Sequence, residues 1–308
     1  MKIAVLGSGA MGCLYGGKLA EAGLDVTLID VWKEHVDAIN AHGLSVEGIG
    51  GDRVIKNIKA VTTPEEVKGC DLLIVFVKAT LTSQAMESAR CIMGPHTSVL
   101  TLQNGLGNVE KISAVVGKEK VIAGVTGHGS TLLGPGKIRH AGQGNTVIGE
   151  LNGKIDERLE AVGSVLEKGG FSVTLSNNVM GLIWGKLIVN IGINALTAVT
   201  GLKNGRLVDF PETEELLCGA VEEAMAVAKA KGISLEIGDP VEHTKKVARL
   251  TAENRSSMLQ DVSNKRKTEI SVINGAVVEE GVQYGVPTPI NKVLYNLVSV
   301  KEKTYNEV

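Results

Sequence analysis

Lys2-Ile3-Ala4-Val5-Leu6-Gly7-Ser8-Gly9-Ala10-Met11-Gly12 is the stretch on which the fold turns. A short apolar run, Lys2–Leu6, reads as a buried strand. It leads directly into glycines spaced G-x-G-x-x-G, and the helical pattern Ala10–Ala22 follows and stops at Gly23. A second apolar run, Val26–Ile29, ends at Asp30, and a second helical pattern, Lys33–His42, stops at Gly43. Strand, glycine turn, helix and strand in this order are the context that a dinucleotide-binding turn requires. Gly7 permits the sharp turn, Gly9 lets backbone approach a pyrophosphate, and Gly12 lets helix and strand pack closely. Ser8, Ala10 and Met11 complete the loop, and the helix start offers free N–H groups to phosphate oxygens.

Asp30 bears on the choice of nucleotide. A carboxylate at the end of the second strand accepts hydrogen bonds from both ribose hydroxyls of NAD and repels the 2′-phosphate of NADP. This chemistry favours NADH, with nearby Lys33 a partial offset and a simple helix cap for the Lys33 segment the structural alternative.

Outward from this turn the first half repeats itself. Leu72–Val77, Ser98–Leu102 and Val121–Val125 are apolar runs of the parallel-strand type, separated by helical patterns. Leu44–Thr62 alternates around Gly48, Gly50 and Gly51 and reads as a hairpin or irregular strand pair. The glycine-rich section Gly127–Glu150, with a turn at Gly134-Pro135-Gly136, is expected to add antiparallel strands at the sheet edge. After about Ser176 the strand-like runs give way to long helical patterns, Glu212–Lys231 and Gln260–Tyr284, each stopped by a glycine. The expectation is an α/β fold: a Rossmann-type, mostly parallel sheet over residues 1–175, then an all-helical substrate domain over 176–308.

Bulk properties narrow the function. With 308 residues and a net charge of −2, the chain has no general attraction for nucleic acid or an anionic membrane, and 3% aromatics leave little for base stacking. The four cysteines, Cys13, Cys70, Cys91 and Cys218, form no C-x-x-C pair, which points away from a zinc ribbon and toward a reducing cytoplasm. Gly7, Gly9 and Gly12 interrupt the apolar N-terminus, so it is not read as a signal peptide. Leu182–Leu202 has membrane length, but it carries Lys186, Asn190 and Asn194, so a packed core helix is expected. His128 and His140 could form a metal pair, but no carboxylate or cysteine pattern supports one, and no metal is expected.

Lys186, Asn190 and Asn194 are spaced i, i+4, i+8 and share one helix face within an apolar stretch. Buried polar groups need partners, so they face one another or a ligand. Partial desolvation suits a lysine to proton donation. A polar stripe between packed helices would show the same spacing. A second cluster, Asn254–Asp261 followed by Lys267-Thr268-Glu269-Ile270, puts Asn254 and Ser257 three apart, able to grip one ligand, and supplies Glu269 as a partner for a buried lysine. A solvated loop before an ordinary charged helix is the plainer reading. Lys78 and Asn104 stand at the ends of apolar strands, where ligands gather in open α/β sheets.

Taken together, Gly7–Gly12, Val77-Lys78-Ala79, Gln103-Asn104-Gly105, the Lys186–Asn194 segment, Asn254–Asp261, Thr268-Glu269-Ile270 and Ile273-Asn274-Gly275 resemble the ketopantoate reductases over nearly the whole chain. The resemblance implies a Rossmann domain, a helical domain, and an active site in the cleft. It implies reduction of the 2-oxo acid ketopantoate to pantoate, on the way to pantothenate and CoA. Lys186 would be the general acid for the C2 carbonyl oxygen, and Glu269 would hold it. Asn190 and Asn194 would bind substrate oxygens. Asn254 and Ser257 would take the far hydroxyl and the carboxylate. Asn104 and Lys78 would contact the cofactor, with Asn104 also near the substrate. The resemblance implies NADPH, yet Val31 stands where NADPH-using members often carry Arg. That departure brings in NAD-dependent D-2-hydroxyacid dehydrogenases acting on other C3-branched 2-oxo acids. A non-catalytic nucleotide sensor or scaffold is the reading from a different class. A homodimer through the helical domain fits helices such as Glu212–Lys231, which carry Leu, Val, Ala and Met on several faces.

Overall fold

The computed structural model describes residues 1–307 and divides into two compact units. The first comprises Met1–Gln103 and Asn108–Val179; the second comprises Asn104–Gly107 and the chain from Met180 onward.

In the first unit the chain runs β1 (Lys2–Leu6), α1 (Ala10–Glu21), β2 (Asp25–Ile29), α2 (Lys33–His42), β3 (Leu44–Gly48), β4 (Arg53–Ile55) and β5 (Lys59–Val61). It continues through β6 (Cys70–Val75), α3 (Thr82–Ser88), β7 (Met93–Thr101), α4 (Asn108–Val116) and β8 (Val121–Thr126). Then come β9 (Gly129–Gly134), β10 (Lys137–Gly142), β11 (Thr146–Glu150), α5 (Glu157–Lys168) and β12 (Val173–Leu175). The main sheet has the order β12-β11-β8-β7-β6-β1-β2-β5. Its pairings are parallel except that of β11 with β8. The central strands carry continuous apolar runs, Ile3–Leu6 in β1 and Leu72–Val75 in β6, rather than alternating ones, as strands buried on both faces do. Leu28, Leu72 and Ile74 are fully enclosed, each contributing about 1.5–3 kcal/mol. Leu6 at the C-terminal end of β1 lies beside Ile29 on one side and Val75 on the other, so the turns after β1, β2 and β6 emerge together.

The glycine-rich section departs from expectation. Only β11 joins the main sheet, inside its edge. β9 and β10 leave it and pair with the earlier hairpin in a second sheet of order β4-β3-β10-β9, with β10 parallel to β3. Alternating polarity announces a strand but does not name its partner.

The second unit is helical: α6 (Val179–Thr200, its first residue belonging to the first unit), α7 (Pro211–Ala230), α8 (Pro240–Leu250), α9 (Ser257–Ser263), α10 (Asn274–Tyr284) and α11 (Pro289–Lys303). α6 is long and apolar enough to cross a membrane, but 67% of its most apolar window is buried inside the protein. The single helix expected over Gln260–Tyr284 is in fact two. Asn264 ends α9, Lys265 takes a positive φ of 51°, and a short turn, Ile270–Val272, precedes α10. The cause is tertiary. The backbone N–H (2.7 Å) and hydroxyl (2.6 Å) of Thr268 both donate to Glu302 of α11, and that contact overrides the helical periodicity.

Candidate active site

The glycine turn is built as its spacing requires. Gly7 has φ +93°, and a Cβ there would meet the Val77 nitrogen at 2.6 Å. A Cβ on Gly12 would lie 2.0 Å from the Gly7 carbonyl oxygen, so strand and helix touch through backbone alone. At Gly9, by contrast, a Cβ would meet nothing within 4 Å. That open side borders the first turn of α1, where no side chain caps the N–H groups. The buried Ser8 hydroxyl also has no partner among the described residues. A backbone turn with open space at Gly9, uncapped donors and a positive dipole end fit a dinucleotide pyrophosphate.

Asp30 closes this turn. One carboxylate oxygen accepts from the Ser8 N–H at 2.8 Å, and the other accepts from the Trp32 N–H at 3.0 Å. Asp30 therefore links the glycine turn to the residue before α2, but it does not cap that helix, whose N-cap is Trp32 and carries no side-chain cap hydrogen bond. Its two oxygens still have lone pairs left for ribose hydroxyls. Lys33, the suggested offset, pairs with Asp37 at 2.7 Å in solvent, and Val31 is 88% exposed. Under the turn, Cys13 Sγ donates to the Ser8 carbonyl and lies 3.3 Å from His35 Nε2, while His35 Nδ1 accepts the Gly136 N–H. Lys78 is exposed at the head of the short turn Ala79–Leu81. Gln103, which sequence reasoning passed over for its neighbour Asn104, ties two strand ends together. Its amide donates to the Val77 carbonyl at 2.6 Å and to Thr82 Oγ1 at 2.9 Å. The clue was a polar residue set directly after an apolar strand.

In the second unit, α6 carries Lys186, Asn190 and Asn194 on one face, beneath a fully buried Trp184. Burial pulls the Lys186 ammonium down to about 8, while the Glu269 carboxylate opposes that fall. Glu269 also accepts from the Asn104 amide at 3.5 Å. Asn194 is 5% exposed, and neither its amide nor that of Asn190 makes a side-chain hydrogen bond among the described residues. Thr197, one turn further along the same face, donates to the Asn194 carbonyl and shares a 2.7 Å contact with Ser256, which caps α9. The residue fastened to this face is thus Ser256. Ser257 is exposed in the first turn of α9, and Asn254 is exposed in the loop before it. The structure brings Lys186, Glu269 and Asn104 into one cluster and leaves Asn254 and Ser257 on the surface of the unit.

His128 and His140 do meet, with ring nitrogens 3.2 Å apart, beside Tyr15 and Phe171. Among the described residues no group of three His, Cys, Asp or Glu gathers that could hold a metal.

A turn shaped for a pyrophosphate and a desolvated lysine among amides are the marks of a dinucleotide-dependent oxidoreductase acting on a CH–OH group. The comparisons narrow that class. The model of the family "Ketopantoate reductase PanE/ApbA" matches residues 3–153, and that of its C-terminal domain matches residues 178–302. The chain is 37% identical to the 2-dehydropantoate 2-reductase of Halobacterium salinarum over 304 residues, covering 98% of this chain and 99% of that one. Among solved structures it superposes on a PanE/ApbA family ketopantoate reductase from Ralstonia eutropha with TM-score 0.92 and 36% identity, each chain 99% covered. It also superposes on D-mandelate dehydrogenase in ternary complex with NADH and anilino(oxo)acetate, with TM-score 0.91, 31% identity, and 99% and 100% covered. The chain belongs to the ketopantoate reductase family.

Proposed function

We propose that the protein is a 2-dehydropantoate 2-reductase, reducing the C2 ketone of ketopantoate to the alcohol of pantoate. The observation that carries this reading is Lys186: an ammonium held near pKa 8 beside Glu269 on a face of unengaged amides, in a chain that also carries a dinucleotide turn. We infer that the first unit is the nucleotide domain and the second the substrate domain.

A reduced nicotinamide, when bound, supplies the hydride for the ketone carbon. The chain handles the oxygen. Lys186 donates a hydrogen bond to the carbonyl oxygen and then its proton as charge builds there, and Glu269 keeps the ammonium protonated beforehand. Asn190 and Asn194 would orient substrate oxygens, and Asn104 would serve the nicotinamide and the substrate. Asn254 and Ser257 take the far hydroxyl and the carboxylate. Gly7–Gly12, Asp30 and Lys78 would hold the nucleotide. Asp30, with Val31 in place of a basic residue, supports NADH over NADPH.

The same two features favour a second reading, an NAD-dependent D-2-hydroxyacid dehydrogenase for another C3-branched 2-oxo acid. It draws support from the likeness to D-mandelate dehydrogenase. A spectrophotometric panel of ketopantoate, 2-oxoisovalerate and phenylglyoxylate with NADH and NADPH separates the two. Highest kcat/KM with ketopantoate is expected, and preference for phenylglyoxylate would move the protein to the second reading. Nucleotide binding with no turnover on any acid would leave only a sensor. Free Cys13, Cys70, Cys91 and Cys218 support a cytoplasmic location.

A further inference from the structure

Asn104–Gly107 interrupts the first unit in sequence but packs with the second. Gly105 has φ +81°, a conformation L side chains rarely adopt. A Cβ there would meet the Val272 carbonyl oxygen at 2.6 Å and the Val272 Cγ2 and Cβ at 2.7 and 2.9 Å. The next residue, Leu106, is buried and donates its N–H to that same Val272 carbonyl at 2.9 Å. Val272 closes the short turn that Glu269 begins, since the Val272 and Ile273 N–H groups both return to the Glu269 carbonyl at 3.1 Å. The other flank of Glu269 is tied down by Thr268 on Glu302. Glu269 is therefore clamped from two directions, and one clamp is a glycine seated on backbone.

We propose that Gly105 and Leu106 are positioning residues for the proton donor: seated on Val272, they fix the Glu269 turn and thereby hold the Glu269 carboxylate where it serves Lys186. The inference rests on the reductase reading, in which Lys186 donates the proton. Gly105 touches neither substrate nor cofactor in this account and acts only through the turn. Any side chain at 105 must push Val272 away, and because the obstacle is backbone, no rotamer change relieves it.

The test is a double-mutant cycle of Gly105→Ala and Glu269→Gln in the full-length protein, read as kcat/KM against pH with saturating cofactor. Gly105→Ala is expected to lower kcat about 10-fold or more and to move the basic limb of the profile to lower pH, since the carboxylate that supports the Lys186 charge is displaced. NADH affinity, followed by nucleotide fluorescence, should change less than about 3-fold, because Gly7–Gly12 is untouched. In the Glu269→Gln background, adding Gly105→Ala should move the limb no further. Val272→Ala, which removes the side-chain half of the seat and keeps the hydrogen bond, should shift the limb in the same direction by less, and it serves if Gly105→Ala does not fold. A folded Gly105→Ala or Val272→Ala protein with an unmoved limb overturns the proposal, as do additive effects in the cycle. A wild-type profile that Glu269→Gln leaves unchanged is a different result and removes the role of Glu269 itself.

Discussion

The pH dependence of reduction offers the sharpest test of Lys186. As the general acid it must carry a proton when the carbonyl oxygen gains charge. With the ammonium pulled down to about 8 by burial, kcat/KM should be flat below about pH 7 and half-maximal near pH 8. At pH 9 it should stand near one-tenth of the plateau. A lysine at its ordinary 10.5 would hold the rate flat through this range. Lys186→Ala should lower kcat by at least about 100-fold, the scale of a lost proton donor together with lost charge stabilisation. The residual activity should lose the limb at pH 8. Lys186→Arg keeps a charge that does not titrate, so its profile should flatten while turnover stays low. Initial rates of NADH oxidation from pH 6 to pH 10 provide the assay, with nucleotide binding followed separately by fluorescence. Turnover of Lys186→Ala within a few-fold of the parent would refute the assignment, and so would an unchanged limb in that variant.

Asp30→Ala should cut kcat/KM with NADH about 10-fold or more while sparing NADPH. Equal loss with both would leave the carboxylate only its Ser8 and Trp32 contacts. Gly12→Ala places a methyl against the Gly7 carbonyl and should weaken NADH binding at least about 10-fold in a fluorescence titration, with a lower Tm. Burial lowers His128 to about 4 from an ordinary 6.5, so between those values the unfolded chain binds the proton and the folded one does not. Stability is then lost as pH falls from 6.5 toward 4, and thermal melts of His128→Gln should show a smaller drop between pH 7 and pH 5 than wild type. Val293, Leu297 and Val300 lie exposed at i, i+4, i+7 on α11, and we expect them to support a homodimer. Light scattering of Leu297→Glu should then report more monomer than wild type.

The glycine turn could be read from sequence because it is local: strand, turn and helix occupy Lys2–Glu21, and the glycine spacing states its own geometry. The face of Lys186, Asn190 and Asn194 was equally visible, since helical periodicity puts i, i+4 and i+8 together whatever packs around them. What escaped depends on distant partners. The β9–β10 hairpin shows alternation, but its neighbour β3 lies some ninety residues earlier. The break between α9 and α10 follows from Glu302 reaching Thr268 across 34 positions, while the apolar pattern between them still reads as helix. Ser256 and Ser257 are adjacent hydroxyls, and only packing against Thr197 distinguishes them. The attachment of Asn104 to the helical unit through Gly105 and Val272 leaves no mark in spacing or composition.

The chain has two tryptophans, and the fold assigns one to each unit. Trp32 stacks on His35 just past Asp30 and is 37% exposed, while Trp184 is fully enclosed two residues before Lys186. Each unit thus carries its own natural fluorophore, a wetted indole emitting to the red and a dry one to the blue. Replacing either by Phe would let melting of one unit be watched without label while the other stays silent.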